Sequence, residues 1–158
     1  MKMLVTAALL LTGCGSLLPQ PAPPPALYAL EGAPWPAVAA NLSSITLLVS
    51  APQAAAGFDS RAIVYVRQPH RRERFARSEW VDTPARMLAP LLVAALQGSG
   101  AFAAVVPAGG GAAGALRLDT EILRLQHEFD TAPSRVRFTL RATLLDGATR
   151  RVIAARDF

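Results

Sequence analysis

Few side chains in this chain can do chemistry: one cysteine, Cys14, two histidines, His70 and His127, and a handful of acids and hydroxyls close together. Structural zinc needs four ligands, and neither histidine has a second at helical ligand spacing, so the pattern argues against a metal centre. Ser60 follows Asp59, but the stretch Gly57-Phe58-Asp59-Ser60 lacks the Gly-x-Ser-x-Gly elbow of a hydrolase and reads as a turn into the next strand. Gly109-Gly110-Gly111 lacks the Lys-Ser/Thr ending of a phosphate-cradling loop and precedes a strand. Asp119 and Glu121 share a strand face, the arrangement that glycan cleavage by paired carboxylates would need. Cross-strand ion pairing with Arg137 or Arg141 explains them at less cost. No reactive constellation emerges, and catalysis is the disfavoured class of function.

Cys14 has a different context. Lys2, an apolar run from Met3 to Leu11 and the small pair Thr12-Gly13 give the three-part layout of a secretory signal peptide. The run is too short for a permanent span, which takes about 20 apolar residues. Leu11-Thr12-Gly13-Cys14 resembles a bacterial lipobox, in which the thiol receives a diacylglycerol, the chain is cut before it, and the new amine is acylated. A lone cysteine cannot close an intramolecular disulfide. Acyl burial contributes about 0.8 kcal/mol per methylene, and two or more chains anchor a protein stably. A lipid on Cys14 is therefore the one non-protein group expected, with no cofactor and no metal. Gly15, in place of an aspartate, implies the outer membrane by the sorting rule of the lipoproteins this start resembles.

The expected organisation is a signal peptide over 1–13, a lipidated cysteine and proline-rich tether over 14–26, and one domain over 27–158. The tether segment LLPQPAPPPA favours polyproline II at about 3.1 Å per residue, enough to hold the domain roughly 30 Å from the lipid. Lys+Arg number 16 against 11 Asp+Glu, a formal charge of +5, and all but Lys2 of the cations are arginine. In an envelope compartment nucleic acid is excluded as a partner, and anionic headgroups or acidic proteins are favoured. The densest charge is Arg67, His70, Arg71, Arg72, Arg74 and Arg77, with Glu73 and Glu79 among them. The plain reading is a solvated hairpin. The sharper one assigns Arg67, Arg71, Arg72 and Arg74 to a membrane or partner contact.

Periodicity then supplies the elements. Ser44 to Ala51, with Ile45, Leu47 and Val49 on one face and Leu48 on the other, reads as a central strand. Ala62–Gln68 and Arg74–Trp80 read as a hairpin around the tip 69–73, with Tyr65, Phe75 and Trp80 in the core or on an oligomer or partner surface. Thr83 as N-cap and Pro84 at the first position predict a helix ending at Gly98 and Gly100. Pro90 inside it predicts a bend or a late start. A short strand over 102–107 and three antiparallel strands follow. In the first of these the apolar phase moves from Leu116, Leu118 and Ile122 to Leu123 and Leu125, the mark of a bulge. In the second, Val136, Phe138, Leu140, Ala142 and Leu144 should face the core. The third follows a turn at Asp146-Gly147. The fold class is α/β: a mixed, mainly antiparallel sheet packed on one principal helix as a two-layer sandwich.

The order of these features resembles the ABC-type transport auxiliary lipoprotein component family (PqiC-like). The resemblance runs through Tyr28 and Leu30, Gly57-Phe58-Asp59-Ser60-Arg61, Ile63-Val64-Tyr65, Trp80, the Pro84 helix, Ser99-Gly100-Ala101-Phe102, Leu144-Leu145-Asp146 and the final Arg-Asp-Phe. It implies a non-catalytic lipoprotein of the outer membrane facing the periplasm. Its partners would be an MCE-domain protein and an ABC permease/ATPase complex that moves lipids, with a homo-oligomer as a further possibility. An envelope lipoprotein that regulates a peptidoglycan synthase is the alternative. Members usually continue into a final helix rich in alanine and leucine. That helix is absent here, which predicts a truncated C-terminus and one uncovered side of the sheet.

Overall fold

The computed structural model describes residues 22–32 and 44–158. Cys14, the signal peptide, most of the tether and the Pro34-Trp35-Pro36 loop lie outside the described residues. The elements are β1 (Ala26–Tyr28), β2 (Thr46–Val49), β3 (Gln53–Ala54), β4 (Ala62–Gln68), β5 (Arg71–Trp80), α1 (Pro84–Gly98), β6 (Ala104–Pro107), β7 (Leu116–Glu128), β8 (Arg135–Asp146) and β9 (Val152–Asp157).

β7 is the spine of one open sheet. Along one edge it pairs antiparallel with β8, which pairs in turn with β9. Its other edge is shared by β2, β3 and β4, all parallel to it. β6 extends the sheet beyond β2, and β5 and then β1 extend it beyond β4. The long ladders, β7–β8, β4–β5 and β8–β9, are antiparallel, while the parallel joins are short. With α1 on one face, this is the mixed, mainly antiparallel two-layer α/β arrangement that the periodicity predicts.

α1 starts at Pro84, which is buried at the first helical position, so the late start does not occur. Thr83 has the extended backbone of an N-cap, yet its side chain makes no capping bond. Instead its own N–H donates to the Asp82 carboxylate at 2.7 Å. Pro90 lacks an N–H, but it lies on the exposed side and the helix runs through it to Gly98. Val93 and Leu96 of α1 pack against Leu47, Val49 and Val105, joined by Phe102, Leu116, Leu118 and Leu144. Each large aliphatic side chain removed from water here contributes about 1.5–3 kcal/mol.

The bulge falls where the apolar phase moves: the β7–β8 register slips between Ile122 and Arg124. Leu123 is the extra residue. It lies in a cleft beside Phe58 rather than sharing the face of Leu125. The slip keeps Leu118, Ile122, Leu125 and His127 on one sheet face, opposite Leu144, Leu140, Phe138 and Val136. Two of these depart from expectation: Val136 is 67% and Phe138 43% exposed. They share the core face but stand beyond the reach of α1, whose contacts lie at the β2–β6 end.

The β4–β5 turn is also tighter than predicted. Pro69 and His70 alone form it, with His70 in the left-handed region at φ 65°, and Arg71 already belongs to β5. At the β8–β9 turn the Asp146 carboxylate accepts from the N–H of Ala148 and from the N–H and hydroxyl of Thr149. A Cβ at Gly147 would stand 2.0 Å from the Gly114 carbonyl oxygen, so only glycine fits after Asp146.

Candidate functional site

Strand alternation divides the arginine hairpin between two faces. On the face that also carries the helix-covered core, Tyr65 stands opposite Glu73. The Tyr65 hydroxyl donates to Glu73 at 3.0 Å, and Arg67 donates to both carboxylate oxygens of Glu73. Arg71 adds a longer contact of 3.7 Å. The Arg67 bond, working against desolvation, holds the Glu73 carboxyl below its usual range. Arg67 also lies 5.5 Å from the centre of the Tyr65 ring. It is thus committed to the hairpin itself. Arg72 and Arg74 occupy the opposite face, beside Val66 and Val64. Arg72 stacks on Phe58, its guanidinium 5.2 Å from the ring centre, and donates weakly to the Ala56 carbonyl at 3.5 Å. Arg74 is exposed and enters no ion pair among the described residues. The four arginines singled out in the sequence therefore form no single patch.

Around Tyr65 the first face is aromatic. Phe75 lies 4.6 Å and Phe129 6.0 Å from its ring centre, and His127 stacks on Phe129 at 3.9 Å. His127 also meets the Ser134 hydroxyl at 3.1 Å. With Val136 and Phe138 across the ladder, this group continues the helix-covered core as a bare apolar surface.

The other face buries Phe58, Val64 and Val66 at its β4 end but is polar along β7 and β8, and its ion pairs differ from those predicted. Asp119 stands opposite Thr143, and its carboxylate takes the Ser50 hydroxyl and the Arg117 Nε, the latter at 2.9 Å. Burial opposes the Asp119 charge, but these two donors outweigh it and its pKa is lowered. Glu121 does stand opposite Arg141, yet Arg141 gives two bonds, of 2.8 and 3.0 Å, to Asp157 on its other side. Arg137 goes instead to Glu128. The register is the physical reason: Asp119 and Glu121 lie before the bulge, opposite Thr143 and Arg141, whereas Arg137 lies past it, opposite Gln126 and two residues from Glu128. Asp59 and Ser60 accept from the N–H groups of Gly57 and Ala62, a turn as read.

Sequence reasoning passed over Glu128. This carboxylate is 6% exposed. Its two oxygens take the Nε of Arg135 and of Arg137, each at 2.8 Å, and Gln126 adds a third donor. The Arg135 bond foremost keeps its pKa low in spite of desolvation. The signal was present: an acid ending one strand, with two arginines at alternate positions opening the next. Among the described residues no group of three or more His, Cys, Asp or Glu could hold a metal ion.

A family model described as "ABC-type transport auxiliary lipoprotein component" matches residues 28–158. Among solved structures, a protein of Xanthomonas campestris assigned to the family model DUF330 is similar with a TM-score of 0.71 and 27% identity. The match covers 84% of this chain and 74% of that one. A second crystal structure, of an uncharacterized protein, has a TM-score of 0.61 at 17% identity, covering 86% and 78% of the two chains, and shows a shared fold alone. No curated protein matches.

Proposed function

Because the chain belongs to the ABC-type transport auxiliary lipoprotein component family, we propose that it is the adaptor of an MCE-type ABC system that moves lipids across the cell envelope. In this reading acyl chains on Cys14 fix it to the outer membrane, the proline tether spaces it from the lipid, and the domain meets its partners in the periplasm. The observation that carries the reading is the family match, which spans nearly all of the folded chain. An adaptor of this kind needs contact surfaces rather than a reaction centre. Two are available: the bare aromatic end of the sheet, where Arg67 and Arg71 gather on Glu73, and the opposite face of the hairpin, which carries Arg72 and Arg74.

The test is affinity capture with the full chain extracted from membranes, followed by mass analysis of the chain and of what it retains. Recovery of an MCE-domain protein with its permease and ATPase, and a mass increment of lipid at Cys14, is the expected result. Recovery of a penicillin-binding protein in their place, or an unmodified Cys14, overturns it.

A further inference from the structure

We propose that the cleft between the β4–β5 tip and the β7–β8 ladder binds a phosphate-bearing anion. The cleft has a volume of about 430 Å³ on the polar face of the sheet. Five arginines line it, Arg71, Arg72, Arg124, Arg135 and Arg137, against only two carboxylates, Glu128 and Asp130. The lining thus carries an excess of three positive charges on a concave surface, where low-dielectric walls concentrate the field, although Arg71 also meets Glu73 outside it.

A solvated patch of arginines would be mobile; Arg72, Arg135 and Arg137 are held. Glu128 fixes Arg135 and Arg137 through a single Nε each. A guanidinium has five N–H donors, so most of each fork is left to give. Arg72 is held by the Phe58 ring beneath it and by the gap at Gly57, where a Cβ would come within 2.9 Å of its Nη1. Gly57 itself adopts φ +93°, which favours glycine. Arg124, exposed on the spine strand, makes no ion pair among the described residues. Side chains already ordered lose less freedom when a ligand arrives, and planar guanidinium forks match the oxygens of phosphate. The ligand is the phosphate group, carried by a lipid headgroup or by a small soluble phosphate. The site rests on the adaptor reading only for the biological source of that group.

Isothermal titration of the full chain in neutral detergent tests it. The probes are inorganic phosphate, dihexanoyl phosphatidylglycerol below its micelle concentration, and dihexanoylglycerol, which lacks the phosphate. Saturable binding is expected for the phosphatidylglycerol, weakened about tenfold by Arg124→Gln and abolished in Arg72→Gln/Arg124→Gln, and unchanged in Arg151→Gln. Arg124 has no internal ion pair to lose, so its variant should melt with the parent. Inorganic phosphate binding equally well assigns recognition to the phosphate alone, and binding only of the phospholipid assigns it to a headgroup. The site is refuted if neither phosphate compound binds, if dihexanoylglycerol binds as well as they do, or if Arg124→Gln leaves the affinity unchanged. Because the measurement needs no partner protein, its failure and a failed capture of transport components are separate results.

Discussion

The two ends of one sheet face are built alike and finished differently. At the β2–β6 end Leu47, Val49 and Val105 lie under α1, with exposures of 1%, 3% and 6%. At the β4–β8 end, the same face carries Phe129, Val136 and Phe138, each more than 40% exposed. β7 and β8 run through both. What changes is the means of cohesion. The covered end is held on this face by apolar burial under α1. The bare end relies on Phe58, Val64 and Val66 buried on the opposite face, on ring contacts, and on carboxylates clamped by arginine, Glu73 with Arg67 and Glu128 with Arg135 and Arg137. On this face, surface able to meet a partner is concentrated at the bare end.

The sharpest way to break this contrast is to truncate one buried and one bare side chain of the β7–β8 ladder on this face. Ile122→Ala removes a side chain with 0% exposure and should cost about 3–4 kcal/mol in urea unfolding. Phe138→Ala should cost less than about 1 kcal/mol, since much of its ring is already in water. Equal losses would mean that the aromatic end is covered in solution.

Acid separates the ends next. Glu73 and Glu128 both have pKa values lowered in the folded state, chiefly by hydrogen bonds from Arg67 and Arg135. A carboxylate of depressed pKa contributes stability that is present above its unfolded value, near 4.3, and lost as the pH falls through the folded value. Stability should therefore be level above about pH 5 and decline below about pH 4. Asp119, Asp146 and Asp157 shift the same way and add to the decline. Asp119 and Asp146 stand at the covered end, where burial under α1 holds the sheet when their bonds are lost. Hydrogen exchange followed from pH 6 to pH 3.5 should show β4, β5 and the start of β8 opening before β2 and β6. The Glu128→Gln variant should already exchange faster there at pH 6 and change less on acidification. Uniform opening along the sheet would remove the distinction.

The sequence was legible where a local signal sufficed. Pro84 and the glycines past Gln97 bound the helix, the flip after Ile122 marks the bulge, and Asp146-Gly147 makes its turn. Alternation correctly assigned Val136 and Phe138 to the face of Leu144. It could not say that α1 stops short of them, because coverage depends on where a distant helix lands and leaves no mark on the strand itself. The same limit applies to the arginines. Those of the hairpin look like one patch in sequence, but the period of two sends Arg67 to Glu73 and Arg72 to Phe58, on opposite sides. Glu128 was missed because its partners depend on the register past the bulge. Arg124 joins them only through the same long-range pairing.

A final expected effect bears on the buried length of the spine strand itself. Thr120 is 5% exposed, and its hydroxyl is buried without a hydrogen-bond partner among the described residues. A buried hydroxyl left unpaired costs about 1–3 kcal/mol, while a β-branched apolar residue of the same shape suits a strand. Thr120→Val should therefore raise stability, by about 1 kcal/mol, seen as a higher urea midpoint with an unchanged m-value. If cohesion there comes from apolar burial, adding a methyl in place of an orphaned oxygen can only help. A loss of stability would instead place an unseen partner, such as a bound water, on the Thr120 hydroxyl, and would show that this stretch of β7 too depends on polar contacts.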